Sequence, residues 1–141
     1  MNSRFSPSAE TGGLEGSMNI LAVSSNAALL TTLEDILKSL FPDAVIARAA
    51  DPLMAGKYAF HNKVDLLLAE AEMKRMDGVQ LIRFVRQEQP GVRAWLMGRE
   101  ETLQALSPSA QGEASGLITI PFTDAEVAAA LKAGAAKNKE E

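Results

Sequence analysis

The stretch Val64–Gly78, VDLLLAEAEMKRMDG, constrains the fold of this chain more than any other. Its apolar run, Leu66–Ala69, is short and stops abruptly at a carboxylate, Glu70. Short apolar runs bounded by polar residues read as strands buried on both faces, and such strands belong mainly to parallel sheets covered by helices. In open parallel sheets, ligands gather just beyond the carboxyl ends of the strands. Glu70 and the loop Ala71–Gly78 therefore lie where a functional site would be, and the remaining residues decide whether one is completed there.

Upstream, Asn19–Val23 (NILAV) reads as a strand, and the polar triplet Ser24-Ser25-Asn26 suits a helix N-cap. Leu29, Leu33, Ile36, Leu37 and Leu40 then recur at helical spacing until Phe41-Pro42. Ala44–Ala49 is a second short strand, and Asp51-Pro52 opens a helix running to about His61-Asn62. Beyond the central loop, Val79–Gln89 is helical and Pro90-Gly91 closes it. Val92–Met97 is a fourth strand, Glu100–Leu106 a short helix, and Ser107–Ser115 a polar loop. Leu117–Ile120 is the fifth strand, and Thr123-Asp124-Ala125-Glu126 is a capping box opening a last helix through about Ala136. Met1–Ser17, rich in Ser and Gly without periodicity, reads as a disordered arm or an expression leader, with Met18 able to serve as a native start. Lys137–Glu141 reads as a polar, solvated tail.

Five strands alternating with five helices predict one doubly wound α/β domain over residues 18–136, since each parallel return needs a crossover helix. A chain of 141 residues is long enough for a single core. With no cysteine there is no disulfide framework and no thiolate nucleophile. The net charge of −4 argues against a basic nucleic-acid face. No segment approaches the roughly 20 apolar residues of a membrane span, and Met1–Ser17 lacks the features of a signal peptide, so a cytoplasmic protein is expected.

Three stretches, ILAV before its polar triplet, VDLLLAEAEMKRMDG with its Met-Asp-Gly turn, and ASGLITIPFTDAEVAAAL, together resemble the receiver domain of bacterial response regulators. In that family the middle stretch typically reads PDLVLLDIMMPGMDG and the last begins ASGYVVKPFT. The resemblance covers Met18 to about Ala136 and implies a flavodoxin-like (βα)5 sandwich with a parallel sheet in the order 2-1-3-4-5. It also implies a site. In the family two acidic residues after the first strand and an aspartate ending the third bind Mg²⁺, and that aspartate accepts a phosphoryl group from a histidine kinase. A Thr or Ser after strand four and a Lys after strand five hold the phosphoryl oxygens. Mg²⁺ needs hard carboxylate oxygens, and the transferring group needs surrounding positive charge.

Carried over residue by residue, the acidic pair falls on Ser24 and Ser25 and the acceptor on Glu70. The hydroxyl position falls on Met97, or on Gly98 with the register moved by one, the lysine on Ile120, and the aromatic switch residue on Leu117. Every functional position is thus substituted. Asp77-Gly78 and Pro121-Phe122 survive, and the resemblance implies a cis Ile120–Pro121 bond.

Two serines are poor Mg²⁺ ligands, so neither metal nor cofactor is expected. Ser24–Asn26 can be an anion-binding helix start or simple capping, and capping is preferred. Glu70 can imitate a phosphorylated aspartate, or it can be a rim carboxylate bonded to Ser24, Ser25 or water. With Ile120 and Met97 where the readout pair would be, the second is preferred, and those two side chains are expected to shrink the pocket. Glu70 and Glu72 as an acid–base pair lack a histidine, metal or lysine nearby; Glu72, Lys74 and Arg75 read as solvated loop charge. His61 reads as a helix C-terminal residue, and Trp95 as core.

The reading reached is a non-enzymatic pseudo-receiver acting in signal transduction or transcription regulation through protein–protein contacts. In the family the fourth helix, fifth strand and fifth helix form the docking and dimerisation face, here Glu100–Leu106, Leu117–Ile120 and Ala125–Ala136, with Leu103, Leu106, Leu117, Val127 and Leu131 as candidate contacts. The expected partner is another protein, a second copy, or an output domain absent from this chain, with no direct nucleic-acid or membrane contact. The alternatives are a receiver that accepts phosphate on Glu70, and a flavodoxin-like small-ligand binder or enzyme using the Ser24–Asn26 turn.

Overall fold

The apolar runs all become strands of one parallel sheet in the structure, a computed structural model that describes residues 18–140. The arm expected at Met1–Ser17 lies outside the described residues, as does Glu141. The strands are β1 (Asn19–Val23), β2 (Val45–Ala49), β3 (Leu66–Glu70), β4 (Arg93–Gly98) and β5 (Gly116–Thr119). They pair in the order β2-β1-β3-β4-β5, as expected for a flavodoxin-like sheet. β3 lies at the centre, with Leu67 level with Leu21 of β1 and Ala94 of β4.

Side chains alternate across each strand, so the sheet makes two cores. Leu21, Val23, Leu67, Ala69 and Leu96 pack beneath α2 (Pro52–His61), α3 (Gly78–Glu88) and α4 (Glu100–Gln104). Ile20, Leu66, Leu68, Trp95, Met97 and Ile118 face α1 (Ala27–Leu40) and α6 (Asp124–Glu140). The stripe Leu33, Ile36 and Leu37 of α1 is buried, as its spacing predicts.

Helix starts follow the capping residues. Asn26 accepts from the Leu29 N–H and Asp51 from the Met54 N–H, with Pro52 at the first helical turn. Both bonds of the Thr123/Glu126 capping box form, and Asp77 and Gln80 form a second box on α3. Two expectations are corrected. The polar loop Ser107–Ser115 contains a further short helix, α5 (Pro108–Gly112), because Ser107 caps Ala110 N and Pro108 presets the first turn. The helix expected to stop near Ala136 runs to Glu140, so most of the expected tail is helical.

Gln89, at the end of α3, ties three segments together. Its Oε1 accepts from the Val64 N–H at 2.7 Å, and its Nε2 donates to the carbonyls of Ala59 and Asn62. Gln89→Leu leaves the Val64 N–H without this partner at the entry to β3. A loss of about 2 kcal/mol in urea unfolding is expected, the scale of a buried donor left unmade; a loss under about 0.5 kcal/mol would show that water replaces the amide at no cost.

Candidate functional site

The carboxyl ends of β1, β3 and β4 bring the substituted positions together. Ser24 is fully buried, and its hydroxyl donates to Glu70 Oε1 at 2.7 Å. Ser24 Oγ in turn accepts the Asn26 N–H at 3.0 Å, and the Ser24 N–H donates to the Ala49 carbonyl. The serine thus caps the turn into α1 and binds the carboxylate ending β3. Glu70 is half-buried and, among the described residues, enters no ion pair.

Beyond the strand ends lies an open cleft of about 620 Å³, lined by Ser25, Ala71, Glu72, Lys74, Asp77 and Thr102 among others. Its floor is fixed by backbone: the Ala71 N–H donates to the Met97 carbonyl at 2.7 Å, and the Gly78 N–H to the Ala71 carbonyl at 3.0 Å. Thr102, a hydroxyl the sequence reading did not single out, lines this cleft from α4. Nothing in its local sequence marks it; it enters only because α4 packs over the end of β4.

The expected shrinkage of the pocket by Met97 and Ile120 does not occur, since neither residue is among the cleft walls. Met97 is level with Glu70 in the β3–β4 register, but its side chain is buried in the core beneath α1 and α6. Period-2 alternation then turns position 98 to the other face. A Cβ on Gly98 would stand 3.6 Å from Ala71 Cβ and 3.3 Å from Leu103 Cδ2, beside the cleft. Of the two residues, Gly98 is thus the one turned towards Ala71 and Leu103, and it has no side chain. Ile120 is half-buried against the α1–α6 core. The Ile120–Pro121 bond is cis.

The candidate contact residues separate by burial. Leu103, Val127 and Leu131 are buried and face the sheet, so they are corrected from contact residues to core. An apolar stripe at helical spacing marks the side turned inward. Leu117 is exposed and Leu106 half-buried. His61 ends α2 and meets Phe60 edge to face, as a C-terminal residue.

Arg75, in the loop after β3, has φ of 76°, in the left-handed region. A side chain there costs roughly 1–2 kcal/mol, against the roughly 0.5–1 kcal/mol of extra entropy that glycine loses on folding. Arg75→Gly is accordingly expected to raise stability by about 0.5–1 kcal/mol, read as a higher urea midpoint at unchanged slope. A lower midpoint would mean that the guanidinium contributes more than the backbone conformation costs.

Chemically, the site offers one carboxylate held by one neutral hydroxyl. Among the described residues no group of three carboxylates, histidines or cysteines is placed to hold a metal ion. Ser24, Ser25 and Glu70 do not make the hard, multiply charged oxygen cage that Mg²⁺ requires. Ile120, onto which the resemblance carried a lysine, is aliphatic and half-buried. Also among the described residues, no helix is long and apolar enough to cross a membrane.

The family model of the response regulator receiver domain matches residues 20–132. A protein-glutamate methylesterase/protein-glutamine glutaminase of Pseudomonas syringae pv. tomato is 32% identical over 136 residues, covering 86% of this chain and 37% of that protein. A similarly named protein of Geobacter metallireducens is 32% identical over 73 residues, 52% of this chain and 21% of its own length. The chain therefore spans little more than a third of the longer-matched relative. Among solved structures, a signal receiver domain of an HD domain-containing protein from Pseudomonas fluorescens superposes with a TM-score of 0.73 at 21% identity, covering 89% of this chain and 100% of that one. The Vibrio cholerae chemotaxis protein CheY4 does so with a TM-score of 0.70 at 19% identity, covering 83% and 98%.

Proposed function

Because the chain belongs to the response regulator receiver domain family, we propose that it is a signalling receiver whose output does not depend on phosphorylation and which has no catalytic activity of its own. The observation that carries this reading is the Ser24–Glu70 hydrogen bond. A phospho-accepting carboxylate needs a metal cage in front of it and cations ready for the transferred charge. Glu70 faces a neutral hydroxyl, with Gly98 and Ile120 at positions onto which the resemblance carries the residues that grip the phosphoryl oxygens.

Output is then a protein contact made in the cytoplasm through α4, β5 and α6, with another protein, a second copy, or an output domain. On that face Leu117 and Leu106 are the reachable apolar side chains, while Leu103, Val127 and Leu131 only set the helices on the sheet. A constitutive contact, or a partner that selects one conformation, replaces the phosphate as the signal.

The test is exposure of the protein to Mg²⁺ with beryllofluoride, followed by amide NMR, and to acetyl phosphate, followed by intact mass. No shift at Ala71 or Thr102 and no added phosphoryl mass is the expected result. A phosphoryl adduct mapped to Glu70, or saturable Mg²⁺-dependent shifts around Ala71, would overturn the reading.

A further inference from the structure

The end of the sheet opposite Glu70 holds a second cavity, of about 290 Å³, where α1 and α6 meet the starts of β1, β3 and β4. Its walls include Leu40 and Phe41 at the end of α1, Leu66 on β3, Trp95 on β4 and Leu131 on α6. Ala128 makes the room. It lines the cavity from α6, one turn before Leu131 and Lys132, and its methyl reaches less far than the side chains of Val127 and Leu131 that close the rest of this core. Protein interiors leave few spaces larger than a water molecule. This one sits at the lower end of the roughly 300–1,000 Å³ of small-molecule sites, which are apolar inside with a few polar groups fixing orientation.

Those groups are two cations. Arg93 is level with Leu66 in the β3–β4 register and, two residues before Trp95, turns to the same face of the sheet. Lys132 stands across from it on α6. Such side chains lay their stems along apolar surface and keep their charged heads in water, which puts a guanidinium and an ammonium at the mouth. Arg93 is half-buried and Lys132 exposed, and neither enters an ion pair among the described residues. No carboxylate is among the described walls. Asp65, beside Leu66, accepts the Asn19 N–H at 2.8 Å and pairs with Lys63 at 3.6 Å, and the exposed Asp43, two residues past Phe41, lies outside the lining. An apolar interior beneath two unpaired cations complements a molecule with an apolar chain and one anionic head.

We infer that this cavity binds a small amphiphilic carboxylate of the medium-chain fatty-acid class, its chain against Leu66, Trp95 and Leu131 and its carboxylate between Arg93 and Lys132. The site lies at the opposite end of the strands from the Ser24–Glu70 bond and is independent of how Glu70 behaves. A ligand touching both Trp95 and Leu131 braces α6 against the sheet, so its binding raises the thermal midpoint.

The experiment titrates the ¹⁵N-labelled full chain with octanoate, octan-1-ol and octylammonium, each below its micelle concentration. The expected result is saturable shifts of the Trp95 indole N–H and of the Leu66, Arg93 and Lys132 amides with octanoate, at a Kd on the order of 0.1–1 mM. Octan-1-ol and octylammonium bind about tenfold more weakly or less. The indole signal is unique, because Trp95 is the one tryptophan. Arg93→Gln combined with Lys132→Gln abolishes the preference for octanoate over octan-1-ol, and Ala128→Leu blocks octanoate at an unchanged or higher thermal midpoint. Equal binding of octanoate and octan-1-ol in the wild type, octanoate binding undiminished by Ala128→Leu, shifts confined to the Glu70 cleft or to α2 and α3, or no saturable shift would each overturn the inference. Shifts of the same signals with phosphatidylglycerol vesicles and none with octanoate would overturn it in favour of a lipid surface.

Discussion

Gly78→Ala is expected to destabilise the protein by about 3 kcal/mol, in the upper range for forcing a methyl into a packed site. The Cβ would stand 2.5 Å from the Glu70 carbonyl oxygen, 2.7 Å from Leu96 Cδ2 and 3.1 Å from Ala71 Cα. Two of these three neighbours are backbone, one in Glu70 at the end of the central strand β3 and one in Ala71 just beyond it. Leu96 is fully buried and has no room to retreat. Gly78 has no left-handed backbone to lose, so the effect is steric. Alanine gains up to roughly 1 kcal/mol over glycine inside a helix, and here that gain is overwhelmed. The measurement is urea unfolding alongside Gly91→Ala and Gly112→Ala. At both of these a Cβ meets nothing within 4 Å, and changes within about 1 kcal/mol of wild type are expected. A Gly78→Ala midpoint within that same range would show that the loop yields freely. Displacing the β3 end also displaces Glu70, so the amide signals of Ser24 and Asn26 are expected to move in this variant.

In the sequence Asp77-Gly78 stood out only as a turn shared with the family, and the steric demand on the glycine is visible only in the structure. Asp77-Gly78 follows a buried strand and precedes a helical pattern, and the structure needs that glycine for a close approach of strand and helix. The helix caps and the strands were readable because capping chemistry and apolar runs are local, whereas the sheet order, which is not local, came from the family resemblance. Met97 was harder to place. Two registers were open from sequence, and only the pairing of Glu70 with Met97 shows that Met97 points to the α1–α6 core and Gly98 to the cleft. The contact face was misassigned in part because Leu103, Val127 and Leu131 were chosen for being apolar on the right helices. An apolar residue spaced by three or four along a helix is the one that a core takes. On α2 the exposed Leu53 and Phe60 look like core residues in sequence, while the buried positions are taken by Pro52, Ala55, Gly56 and Ala59, with Tyr58 partly packed on the core.

The second large effect couples Trp95 to Gly116. The indole is 1% exposed, and its Nε1 donates to the Ala130 carbonyl of α6 at 3.0 Å. On its other side, a Cβ at Gly116 would lie 2.8 Å from Nε1 and 2.9 Å from Cδ1. The ring is held between a bond it needs and a glycine it excludes from growing. Trp95→Ala is expected to cost about 3–5 kcal/mol, the range for emptying a buried aromatic site. Gly116→Ala alone is expected to cost about 2 kcal/mol, because the ring must give up its bond to α6 or push the helix away. In the Trp95→Ala background the obstacle is gone, and the added methyl meets a cavity. There Gly116→Ala is expected to be neutral or stabilising, a coupling of about 2 kcal/mol between the two positions. The cycle is read by far-UV circular dichroism in urea, since Trp95 is the chain's one tryptophan. If the alanine variant is too unstable to measure, Trp95→Phe gives the same sign with a smaller coupling. Additive effects would show that the indole does not press on β5. Because the Trp95–Ala130 bond fastens α6 to the sheet, Trp95→Phe is also expected to speed amide exchange in α6 before global unfolding. Its failure to do so would mean that Val127 and Leu131 alone hold the helix that the proposed contact uses.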